Sequence, residues 1–162
     1  MKLKKSYYFI VIVSLLILLI GFRLHGLLSD RAVERVGSYG TKLMLGSKVL
    51  MVEVAETPKE REQGLSDRKN LCLDCGMLFI FDQPGIYPFW MRRMYFDIDI
   101  LWIADDRVVD VTLGAKVSSK EEFAAPKTFY RSRVPIDKVL EINAGWVEKN
   151  GIKTGDVVRL DL

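Results

Sequence analysis

From Ser6 to Phe22 the chain runs Ser-Tyr-Tyr-Phe-Ile-Val-Ile-Val-Ser-Leu-Leu-Ile-Leu-Leu-Ile-Gly-Phe without a charge, between Lys5 and Arg23. As a helix this run rises about 26 Å, close to the roughly 30 Å of bilayer hydrocarbon, and Lys5 and Arg23 can snorkel to the two interfaces. It has no polar stripe of the kind a core helix keeps, and no Ala-x-Ala signal-cleavage site follows it. It therefore reads as an uncleaved signal-anchor spanning residues 6–22, within an anchor region 1–28 and before a polar linker 29–47. The flanking cations are evenly divided, Lys2, Lys4 and Lys5 against Arg23, Arg31 and Arg35. The clustered lysines and the α-amino group place the N-terminus inside and the domain outside the cytoplasmic membrane.

Beyond the linker the pattern changes to short apolar runs. Lys48–Ala55, Met77–Phe81, Ile86–Met91, Ile98–Ile103, Val108–Leu113, Val139–Ile142 and Val157–Leu162 read as strands. Thr57-Pro58-Lys59-Glu60 predicts a helix start, with Thr57 as cap, Pro58 in the first turn and Glu60 completing a capping box; Gly64 ends it. A second short helix is expected within Asn143–Lys149, stopped by Asn150-Gly151. The fold class is mainly β (α+β): one β-barrel-like domain over 48–162 with one or two short helices, behind one N-terminal transmembrane helix.

A turn at Ala104–Arg107 pairs Ile103 with Val108, so an unbroken hairpin sets Ile98 across from Leu113, Ile100 from Val111 and Trp102 from Val109. The opposite face then gathers Asp97, Asp99 and Asp110 around Thr112. Clustered carboxylates repel unless cations sit among them. Either arginines (Arg92, Arg93, Arg131 or Arg133) satisfy them, or Arg92, Asp99 and Thr112 bind a small polar ligand, or Asp97, Asp99 and Asp110 hold a divalent cation.

Charge narrows the partners. Residues 1–35 hold six of the 24 basic and two of the 21 acidic residues, leaving 18 against 19 for the remainder. A domain so near neutrality has no footprint for phosphate backbones, so no nucleic acid is expected. The single histidine, His25, lies beside the anchor. That excludes from the domain a Ser-His-Asp or Cys-His arrangement and any imidazole metal site built within one chain.

Cys72-Leu73-Asp74-Cys75 is the one cysteine pair. In an oxidising compartment it suits a loop-pinning disulfide. A thioredoxin-like motif follows a strand and opens a helix, the reverse of the order here, and zinc needs two further ligands. Trp90, with Tyr87 and Phe89, and Asn143 with Trp146 are candidates to line a binding groove, against the plainer reading as core and turn residues. Ser118, Ser119 and Lys120 are neighbours whose side chains point apart, within a polar loop.

Gly64-Leu65-x-x-Arg68, Gly76-Met77-Leu78-Phe79-x-Phe81, Phe89-Trp90-Met91, Ile98-Asp99-Ile100-x-Trp102-Ile103, Leu140-Glu141-x-Asn143-Ala144-Gly145-Trp146 and Gly155-Asp156 occur in that order. Together they closely resemble the uncharacterised DUF192 family over Lys48–Leu162. The resemblance implies a small, mainly β domain, frequently exported in bacteria, with no established reaction; no cofactor is expected. Where similar members carry Asn and Pro, this chain has Arg93 and Asp97, which the change suggests as a pair. The expectation is a membrane-tethered extracytoplasmic domain, without established catalysis, that binds a small polar ligand or an envelope protein. Thiol–disulfide exchange at Cys72/Cys75 and metal-dependent hydrolysis on the Asp97/Asp99/Asp110 face are the alternatives.

Overall fold

In the computed structural model, which describes residues 40–161, seven strands form one sheet in the order β5-β4-β6-β3-β2-β1-β7. They are β1 (Thr41–Leu45), β2 (Lys48–Ala55), β3 (Cys75–Gly85), β4 (Ile98–Ala104), β5 (Arg107–Ala115), β6 (Ile136–Asn143) and β7 (Val158–Asp161). Helices α1 (Pro58–Gln63) and α2 (Trp146–Asn150) are both short. The sheet is a half-barrel; its edge strands approach at one end, where Arg107 bridges to Val157. The anchor read from residues 6–22 lies outside the described residues. Among the described residues no helix is long and apolar enough to cross a membrane.

Central strands buried on both faces read as continuous apolar runs. One face packs Leu43, Leu50, Val52, Leu78, Leu101, Ile103 and Leu140 into the half-barrel. The other packs Met77, Phe79, Ile100, Trp102 and Val139 beneath Leu65, Met91 and Met94, which come from the connections between strands. Two cores thus share one sheet. Gly76 makes the β3–β6 pairing possible, since a Cβ there would stand 2.9 Å from the Glu141 carbonyl oxygen.

The first helix follows its local chemistry. Thr57 Oγ1 accepts from the Glu60 amide, the Glu60 carboxylate accepts from the Thr57 amide, and Gly64 closes the helix at φ 49°.

Three expectations change. Residues 41–45 lie within the stretch read as linker, yet they form β1, whose Leu43 and Leu45 face the core and whose backbone pairs with β2 and β7. Ile86–Met91 is no strand beyond a bridge from Phe89 to Tyr130; these residues roof the sheet. The β4–β5 register slips, pairing Ile98 with Ala115, Ile100 with Thr112 and Trp102 with Asp110. Extra residues in β5, near Val109 and at Gly114 (φ 57°), make the two shifts, because a bulge needs an unpaired residue and often a left-handed one.

Candidate functional site

The register change separates the residues that a regular hairpin would have gathered. Thr112 stands beside Ile100 on the outer face and accepts a hydrogen bond from Trp102 Nε1 at 3.0 Å. Asp99, one residue from Ile100, points to the opposite face and is fully buried. Its Oδ1 accepts from the Gly114 amide at 2.9 Å and its Oδ2 from the Val147 amide at 3.1 Å. Gly145, the residue before α2, has no side chain to cap the helix, so Asp99 supplies the missing acceptor from across the fold.

Asp97 and Asp110 have partners of their own. Lys116 Nζ lies 2.7 Å from Asp97, whose carboxyl that contact holds below its ordinary value, and the Val117 amide donates to the same group. Asp110 accepts from the Val111 and Arg133 amides and pairs with the Arg133 guanidinium at 3.6 Å. Arg93 pairs with Asp67 at 2.7 Å rather than with Asp97, because its backbone turns left-handed (φ 51°) and hydrogen-bonds the Asp67 loop. Among the described residues no three His, Cys, Asp or Glu side chains converge as a metal site.

Cys72 and Cys75 form a close pair, Cα atoms 5.2 Å apart, with Cys72 exposed and Cys75 buried at the start of β3. Two other candidates meet this loop. Asn143 Nδ2 donates to the Cys72 carbonyl at 2.8 Å, and Trp146 Nε1 donates to Asp74 at 3.0 Å. They fasten the cysteine loop to β6 and α2. Asn143→Ala should therefore cost about 1 kcal/mol and speed amide exchange in the 72–75 loop; unchanged exchange there would assign the anchoring to Trp146 alone.

Trp90 alone of the ligand candidates lines a cavity of about 510 Å³ between α1, the outer end of β3 and the 87–94 roof. Phe79, Phe81, Tyr87, Phe89 and Met94 share its wall. Phe81 stacks on Tyr87 at 3.8 Å between centroids, and Phe89 meets Phe79 edge-on at 5.0 Å. Arg92 reaches its flank by pairing with Glu62 at 3.3 Å.

Glu141 also lines this cavity. Strand pairing sets Glu53, Met77, Glu141, Ile100 and Thr112 in one row across five strands, with Glu141 between two apolar neighbours. It is 6% exposed. Burial pushes the carboxyl up to about 8, against the opposing charge of Arg68. That guanidinium is itself held by both Glu53 carboxylate oxygens, so its charge is largely matched before it acts on Glu141. A charged residue in a run such as Val139-Leu140-Glu141-Ile142, where both faces must be apolar, was the available sequence signal for this site.

The family model described as Uncharacterized ACR, DUF192, matches residues 41–160. A protein of Sinorhizobium meliloti 1021, provisionally assigned as a transcription regulator, is 33% identical with a TM-score of 0.67, the match covering 74% of this chain and 92% of that one. A protein of unknown function from Novosphingobium aromaticivorans DSM 12444 is 30% identical with a TM-score of 0.68, over 79% and 91% of the two chains. No curated protein matches the chain.

Proposed function

The chain belongs to the DUF192 family, and on that premise we propose that it is a binding protein whose domain takes a small ligand in the aromatic cavity above Glu141. Residues 6–22 tether it to the cytoplasmic membrane with the domain on the outer side. The observation that carries the binding reading is Glu141. A carboxyl buried among Met77, Ile100 and aromatic rings costs stability, and its place at the base of a 510 Å³ cavity is where an occupant would offset that cost. The near-neutral charge beyond residue 35 supports a small molecule rather than nucleic acid, whatever the Sinorhizobium neighbour does.

The test uses the full chain in lipid nanodiscs and 4-fluorobenzyl alcohol, an uncharged ring of suitable size, observed by fluorine NMR. Saturable line broadening is expected. It should vanish in Phe89→Lys, which puts a charge into the aromatic wall and for which retained circular dichroism reports an intact fold. Broadening that is equal in the two proteins would show lipid partitioning and end the proposal.

A further inference from the structure

The cavity's charges restrict what can occupy it. Arg61, Glu62, Asp82 and Glu141 are its acidic and basic lining residues, and Tyr87 is a further titratable one. Arg61 is already committed, donating to the carbonyl oxygens of Glu56 and Ile80 and lying 5.1 Å above the Phe81 ring. Arg68, beside Glu141, is clasped by Glu53. Three carboxyl groups thus line the space, Glu62 already paired with Arg92, while Arg61 and Arg68 are hydrogen-bonded elsewhere, and the wall consists of ring faces and edges that attract positive charge. We infer that the occupant is an organic cation, an ammonium group on an apolar body, seated with its charge toward Glu141.

This inference rests on the cavity being the ligand site. An anion would meet carboxyls with no uncommitted guanidinium to receive it. An uncharged ligand would leave Glu141 protonated and gain nothing from its charge. An ammonium satisfies both the carboxyl and the rings, as in other aromatic sites for quaternary amines.

Binding of a cation has a protonic consequence. Glu141 holds its proton in the empty site at neutral pH. A cation favours the carboxylate, so that proton leaves for solvent while the ligand keeps its own charge. Among the described residues, the charged or titratable groups that share the cavity or the strand row with Glu141 are Glu53 from β2, Arg61 and Glu62 from α1, Arg68 from the following loop, Asp82 from β3 and Tyr87 from the roof, with Arg92 paired to Glu62; β4 presents Ile100. Affinity should therefore rise with pH as the carboxyl ionises.

Benzyltrimethylammonium, whose charge does not titrate, is the probe, added to the full chain in nanodiscs of zwitterionic lipid and followed by calorimetry. Binding about tenfold tighter at pH 9 than at pH 7 is expected, as follows from a carboxyl that titrates near 8 when empty and well below 7 when paired. Glu141→Gln should bind more weakly and without pH dependence. The uncharged tert-butyl isostere, or phenylacetate, binding as tightly as the cation overturns the inference. So does a lysine-containing tetrapeptide that outcompetes it, which would move the ammonium to a protein side chain. If 4-fluorobenzyl alcohol binds and the cation does not, the ligand class is wrong and the site stands. If neither binds, the site itself is wrong.

Discussion

Replacing Asp99 by alanine is expected to lower stability by roughly 3–5 kcal/mol, a fall of about 10–20 °C in thermal midpoint for a domain of this size. The carboxylate has no exposure and ties two distant backbone donors, the Gly114 amide in the β5 bulge and the Val147 amide in the first turn of α2. Alanine would leave the buried Val147 amide and the partly buried Gly114 amide without that acceptor. Asparagine should recover only part of the loss, since its amide nitrogen cannot accept from the second donor. Asp97→Ala is the control. That carboxylate shares an exposed pair with Lys116, and its loss should cost under about 1 kcal/mol. Equal midpoints for the two alanine variants, measured by calorimetry, would show that α2 and the bulge hold without Asp99.

Asp99 also shows where sequence reading succeeds and where it stops. The Asp105–Asp106 turn was legible, because two residues at positive φ suit a tight hairpin and Asp tolerates them. So was α1, whose cap, first turn and stop are local. Register was not. Each bulge moves the rest of β5 by one residue, and one residue exchanges the faces, so Asp99 and Thr112 part company. Gly114 was the one local sign of it. Ile86–Met91 failed for a related reason, since an apolar run that covers a sheet has the composition of one that joins it. The missed β1 is short and sits in a polar-looking stretch, and its inward Leu43 and Leu45 become meaningful only beside β2 and β7.

The cavity was legible only in part. Trp90 and its aromatic neighbours stood out by type, whereas Arg61 and Glu62 come from α1, Phe79 and Phe81 from β3, and Glu141 from β6. The sheet order that brings them together places β6 between β3 and β4, a non-local arrangement that spacing along the chain does not encode. The family motifs acquire physical reasons in the same way. Ile98-Asp99-Ile100 and Asn143-Ala144-Gly145-Trp146 are two halves of one joint, with Asp99 accepting from α2 while Asn143 and Trp146 secure the cysteine loop.

Glu141→Gln is expected to stabilise the protein at alkaline pH by several kcal/mol and to change little near pH 4. The folded carboxyl titrates near 8, above the ordinary value of 4.5 that it regains on unfolding. Below about 4.5 both states hold the proton and the group contributes no pH dependence. Between 4.5 and 8 the unfolded chain releases a proton that the folded one keeps, so stability falls as pH rises; above 8 the loss is complete. Glutamine has nothing to ionise, and its advantage should grow through that window and then level off. Urea titrations of both proteins from pH 4 to 9 measure it, and parallel stability curves would mean that Glu141 is already ionised when folded. Arg68→Met separates the causes: without that guanidinium the carboxyl should be harder still to ionise, and the native sensitivity to alkali should deepen, while Glu53 is left as a second partly buried carboxylate. A substitution that strengthens the fold while weakening capture of a cation fits a binding site better than a framework position, because a group kept for packing would not be improved by removing its charge.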